Sequence, residues 1–145
     1  MTRIKFVTMV VMAMLVAVLG VTMAYAYDHH IEENFGPDCH GKTHNPHYSA
    51  PTGDVAVHAE TWCDSSKDYV EAYTVLWWYD PSIPGYSWVD SDEKYDWSTT
   101  TSGETRAWKN PCWSGKFWGV TIHEVQDGTD LWTEGTGNEN PSISC

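Results

Sequence analysis

Five of the seven histidines in this 145-residue chain, His29, His30, His40, His44 and His47, fall within residues 27–51. A cluster of imidazoles is first of all a candidate metal site. Two geometries are open. If the chain is cut after Ala26, the new terminus Tyr27-Asp28-His29 joins a free amine, two deprotonated amides and one imidazole. That is a square-planar nitrogen set suited to Cu(II) or Ni(II). The other set is His40, His44 and His47, with or without Asp38, as borderline-soft ligands for zinc or copper. Gly41 and Pro46 argue against a helix that would align these three. The plainer reading of the same stretch is a polar arm that needs no cofactor.

Aromatic side chains form the second candidate. The chain has nine tryptophans and eight tyrosines, more than a small core absorbs, because Trp is large and seldom fully buried. Tyr69, Tyr73, Trp77 and Tyr79 share one parity and would line one face of a strand. Trp88 extends the set, and Trp97, Trp113 and Trp132 are further candidates for exposed surface. Flat rings with acidic and amide side chains beside them suit sugars, whose C–H faces stack while their hydroxyls find acceptors. Such patches also mark protein interfaces. The competing reading places the aromatic row on the inner face of a second sheet. Trp62, Trp78 and Trp118 are the expected core tryptophans.

Catalytic chemistry has little footing. The sequence has no G-x-S-x-G, H-E-x-x-H, Gly-rich phosphate loop or C-x-x-C. The neighbouring carboxylates Glu32/Glu33 and Asp92/Glu93 point apart if extended, with nothing beside them to raise a pKa. A calcium loop is missing too, and Asp90, Asp92 and Glu93 read best as a solvated turn. No enzyme activity is expected.

The element that must position the aromatic row is the stretch 54–79. In its first half Val55, Val57, Ala59, Thr61 and Cys63 alternate with Asp54, His58 and Glu60, which is a strand with one buried face. In its second half the inward parity changes to Val70, Ala72, Thr74, Leu76 and Trp78. The run Asp64-Ser-Ser-Lys-Asp68 between them is turn chemistry, so two strands joined by a turn are expected. Downstream, short strands are expected over 86–89, 94–97, 104–109, 117–125 and 130–134. In the strand 117–125, Trp118, Val120 and Ile122 share a face, and Gln126-Asp127-Gly128 turns it back. Residues 27–51 read as irregular, and residues after 134 as a polar tail.

About seven short strands without helical periodicity predict an all-β fold, a small antiparallel two-sheet sandwich. A cysteine on one strand followed by a tryptophan on the next, Cys63 and Trp77, resembles immunoglobulin-like domains in architecture. The Asp-x-x-x-Tyr-x-Cys pattern of that family is missing, so the resemblance implies the sandwich and not the topology.

Bulk properties set the compartment. Arg3 and Lys5 precede an apolar run over 6–24, and Ala24-Tyr25-Ala26 is a small-x-small cleavage site, so residues 1–26 read as a secretory signal peptide. An uncleaved anchor is the alternative. The expected parts are thus the leader 1–26, an irregular His-rich arm 27–51 and a sandwich domain 52–145. Without the leader, six Lys and Arg stand against twenty Asp and Glu, a formal charge of −14. That charge repels phosphate backbones and anionic membranes, which disfavours nucleic acid and membrane partners. An even count of cysteines, Cys39, Cys63, Cys112 and Cys145, predicts two disulfides. Sequential pairing, Cys39–Cys63 with Cys112–Cys145, is favoured over the nested pairing Cys63–Cys112 with Cys39–Cys145. The expected product is an extracellular binding module for a carbohydrate or protein partner, an enzyme inhibitor and an antagonistic peptide included. The alternative is an exported metal-binding protein using the histidine arm.

Overall fold

A computed structural model describes residues 31–36, 38–80, 82 and 85–145; the leader and His29 lie outside them. Eight antiparallel strands and no helix make up the described residues: β1 (Ile31–Phe35), β2 (Cys39–Thr43), β3 (His47–Ser49), β4 (Asp54–Tyr79), β5 (Tyr86–Thr101), β6 (Thr105–Lys109), β7 (Gly115–Asp127) and β8 (Asp130–Ile143). Hydrogen bonding joins them in one sheet, in place of the two separate sheets expected.

The reason is β4. It is a single 26-residue strand, and the turn expected at Asp64–Asp68 is a sharp bend within it. The Thr61 hydroxyl donates to the Glu71 carbonyl at 2.7 Å, although a straight strand would hold residues ten apart at roughly 33 Å. Burial follows odd residues through Cys63 and even residues from Val70, so the change of parity seen in the sequence is an irregularity in a continuous strand. Its pairing with β5 jumps there too, between Trp62 and Lys67. The bend is tied down by Asp64 N–H donating to Asp38 O at 2.9 Å and by the buried Lys67, whose Nζ lies 2.6 Å from Asp38.

The bend gives β4 two limbs. The first pairs with β2 and β3 on one side and β6 on the other; the second pairs with β5 and β7, and β8 continues beyond β7. Within the stretch expected to be an irregular arm, the described residues include three strands, since backbone pairing recruits β1, β2 and β3 from a segment with too few apolar residues to show a period. Likewise β5 runs unbroken through the turn expected at 91–93, and β8 continues far past residue 134.

The inner faces of the two limbs meet in three layers. Val55, Val57, Leu76, Ala107, Phe117 and Ile143 form one apolar cluster, with Trp78, Val89 and Cys112 packed against it. Cys39, Cys63, Val70 and Val125 form the other, with Trp132 against it. Between them lies a buried polar layer. Thr43 bonds Thr121 at 2.7 Å and Thr136 at 2.5 Å, Thr74 bonds Thr105 at 2.5 Å, and the His123 ring bonds Thr61 at 2.8 Å and Thr136 at 2.7 Å. Threonine suits these positions because its methyl packs on the pleat while its hydroxyl finds a partner. The core of β7 is thus Phe117, Gly119, Thr121, His123 and Val125, and Trp118, expected inside, lies on the opposite face with Val120 and Ile122.

Gly41 is dictated by this layer. A Cβ there would sit 2.7 Å from His123 Nε2, and closer still to two carbons of the ring. The Thr61 and Thr136 bonds leave the ring no room to turn. Gly41→Ala is expected to cost about 3 kcal/mol by overpacking, read as a lower urea midpoint with an unchanged m-value. An unchanged midpoint would mean that the ring is not fixed.

Both disulfides follow the sequential pairing, Cys39–Cys63 and Cys112–Cys145. The first joins residues directly opposed on β2 and β4. The outer edges of the two limbs are linked by carboxylates: Asp92 accepts from the Arg106 N–H at 2.8 Å and Asp90 from the Trp108 N–H at 2.9 Å. These side chains from β5 satisfy backbone donors of β6 that would otherwise form an open edge.

Candidate ligand-binding face

Residues 70, 72, 74 and 76 of β4 are sealed inside, so Tyr69, Tyr73, Trp77 and Tyr79 stand on the outer face of the second limb. The competing reading, that this row lines an inner face, is thereby excluded. Strand register then shows what stands beside each ring. Trp88 of β5, Trp77 of β4 and Trp118 of β7 lie directly opposite one another across three strands. One row further on are Tyr86, Tyr79 and Lys116. At the far end of the face Trp97 opposes Tyr69, and Tyr95 opposes Glu71.

The rings touch within each group. Tyr69 lies 4.7 Å from Trp97 and 5.9 Å from Tyr95 between centroids. Tyr86 lies 5.6 Å from Tyr79 and 5.7 Å from Trp118. These are tilted or edge arrangements, which aromatic quadrupoles favour. Several rings remain open to solvent: Trp88 is 58% exposed, Tyr95 55% and Trp97 54%. Between the two groups the face is low. Its floor is Val75 and Val120, and β8 contributes only Gly135 and Gly137 opposite Ile122 and Val120. The Trp118 indole leans over Gly137, whose missing side chain makes the space.

Electrostatics on this face are acidic. Glu71 on β4 stands directly opposite Glu124 on β7, and Glu93 on β5 opposes Tyr73 one row away. The Tyr69 hydroxyl donates to Glu71. Burial first, then that bond and the charges of Glu71, Glu124 and Glu93, push this hydroxyl well above its ordinary pKa. Tyr86 is pushed up to about 12, by burial and by its hydrogen bond to Glu139. Glu139 also pairs with Lys116 at 2.8 Å. Both tyrosines are thus fixed hydroxyl donors at neutral pH.

No family model and no curated protein sequence matches this chain.

All five residues expected to bind ligand, Tyr69, Tyr73, Trp77, Tyr79 and Trp88, therefore share one surface, and it is larger than expected. Sequence reasoning missed Tyr86, Tyr95 and the carboxylates Glu71, Glu93 and Glu124, and it placed Trp118 in the core. Register with β5 and β7 was the signal, and it cannot be read until the strands are paired. Trp132, expected at the surface, instead packs against the Cys39–Cys63 cluster, and Trp62 lies beside His40 on the outer face of the first limb, with ring centroids 5.2 Å apart.

The histidines are divided. His44 and His47 line a shallow cleft with Asn45, His58 and Glu104. His47 stacks on His58 at 5.4 Å, and His58 Nδ1 lies 2.8 Å from Glu104. His40 sits apart, on β2 beside Trp62. The strand geometry thus separates the expected trio. Among the described residues no three His, Cys, Asp or Glu side chains are gathered in a metal-binding arrangement.

Proposed function

We propose that the chain is an exported binding module whose outer aromatic face holds an extended carbohydrate polymer. The observation that supports this most directly is the alignment of Trp88, Trp77 and Trp118 across three neighbouring strands, with Tyr69, Tyr95 and Trp97 as a second group further along the same face. Rings on a sheet offer a rigid contact surface with little side-chain entropy to lose. Carboxylate acceptors lie beside them to meet sugar hydroxyls. In this reading residues 1–26 are a cleaved leader, the two limbs act as the layers of a small sandwich, and the disulfides suit an oxidising compartment. A protein partner for the same face, as an enzyme inhibitor or antagonistic peptide would have, is the second form of this proposal.

The test is tryptophan fluorescence and calorimetry of the mature chain against a panel of soluble polysaccharides. Trp88→Ala and Trp97→Ala remove exposed rings, so the fold is expected to persist while each variant loses about 2 kcal/mol of binding, roughly thirtyfold. Saturable binding that neither substitution weakens would place the ligand elsewhere. No response to any glycan would transfer the face to a protein partner.

A further inference from the structure

We infer that His47 and His58, on the outer face of the first limb, form a site for a divalent transition-metal ion such as zinc. The site is separate from the aromatic face of the second limb, so it does not depend on the carbohydrate reading. Strand pairing puts the two rings together. β3 places His47 directly opposite Ala56 of β4, and His58 is the next residue of β4 on that face. Ala56 offers only a methyl group there, which leaves room for the His47 ring to lie along His58.

Each ring is held by its Nδ1 atom. His47 Nδ1 lies 3.1 Å from the Asn45 carbonyl oxygen, and His58 Nδ1 lies 2.8 Å from a Glu104 carboxylate oxygen. Both partners can only accept, so in each neutral imidazole the proton sits on Nδ1 and the lone pair on Nε2. Metal-ligating histidines are arranged this way, with the second nitrogen donating to a carboxylate or a backbone carbonyl. The supports are themselves tied down. The His44 N–H donates to the His58 carbonyl at 2.8 Å, which pins this segment to β4, and Asn140 donates to the Pro46 carbonyl at 2.9 Å.

Spacing fits a shared ion. A zinc ion about 2.1 Å from each Nε2 is roughly 3.2 Å from each ring centre, so tetrahedral ligation sets the centres roughly 5.2 Å apart. Here they are 5.4 Å apart, with planes 19° from parallel. Ligation therefore asks the rings to turn about χ2 and does not ask the strands to move. Nearby charge is no obstacle. Arg106, directly opposite His58 on β6, is paired with Asp54, which leaves the Glu104 carboxylate to offset the ion. Among the described residues no third His, Cys, Asp or Glu joins the pair in a metal-binding arrangement. Water would fill the remaining positions, so the ion would be exchangeable rather than a structural one in a closed site.

The experiment is calorimetric titration of the mature chain with zinc, chosen because a Tyr27-Asp28-His29 terminus would also take up Cu(II). His47→Ala and His58→Ala should each weaken zinc binding at least tenfold, and Glu104→Gln, which keeps both ligands, about tenfold. None of the three side chains is buried, so the variants are expected to fold, as circular dichroism would verify. Nitrogen-15 spectra should show the Nε2 resonances of both rings moving on zinc addition, a signature that a merely structural role would not give. Zinc affinity unweakened in either histidine variant would place the ion elsewhere and overturn the inference, and so would absence of zinc uptake. Glu104→Gln binding as tightly as the parent chain would also overturn it, by showing two chance surface imidazoles in place of a supported pair.

Discussion

Reduction of both disulfides under otherwise native conditions is expected to unfold the domain. Cys39–Cys63 spans a sequence separation of 24 residues and Cys112–Cys145 one of 33. The chain-entropy account assigns loops of this size roughly 3.5–4 kcal/mol each, so losing both removes about 7 kcal/mol. Domains of this size hold only about 5–15 kcal/mol in total. The positions sharpen the effect, because each bridge adjoins one of the two apolar clusters. Without Cys112–Cys145, the end of β8 that carries Ile143 into the core loses its covalent tie. Far-UV circular dichroism during urea titration, with and without a thiol reductant, checks this. Cys39→Ser/Cys63→Ser and Cys112→Ser/Cys145→Ser should each show about half of the loss. A midpoint unmoved by reduction would show that packing alone sustains the fold.

Acid should weaken the protein through His123. Burial lowers its pKa from 6.5 to about 3. In the unfolded chain the same imidazole titrates near 6.5. The folded pKa is the depressed one, so the unfolded state takes up the proton first. The stability that neutral His123 provides is complete above pH 6.5 and declines as pH falls from there toward 3. The loss amounts to several kcal/mol at the lower end, on top of any carried by carboxylates such as Asp38, which its bonds to Lys67 and Ser65 hold below the usual range. Stability measured by urea titration across this window should fall steeply. In His123→Gln the slope just below pH 6.5 should flatten, since the carboxylates titrate mainly lower down. An identical slope in the variant would assign the acid sensitivity to other groups.

Much of the site was legible in the residues, because a period of two needs no partner to be seen. The inward sets Val55 to Cys63 and Val70 to Leu76 read correctly, and with them the outward row of Tyr69, Tyr73, Trp77 and Tyr79. The cysteines paired as their order suggested. Three things were hidden for physical reasons. The Asp64–Asp68 run has the composition of a turn, yet a bulge that changes parity needs similar residues, so one bent strand resembled two. Residues 27–51 have few apolar side chains, and β2 and β3 are held there largely by backbone pairing with β4. Trp118 and Thr121 exchanged roles. A tryptophan is the stronger hydrophobe, but the middle of the interior is a layer of hydroxyls, and β7 turns its threonine and histidine toward it.

Because one strand belongs to both limbs, neither half of this molecule is a complete object. Detaching the first limb from the bend would strip β2, β3 and β6 of their common neighbour, and detaching the second would do the same to β5 and β7. Melting is therefore expected to be all-or-none, with slow amide exchange in both halves governed by a single global opening. The ring-bearing surface should share that cooperativity and keep its geometry until the whole chain lets go.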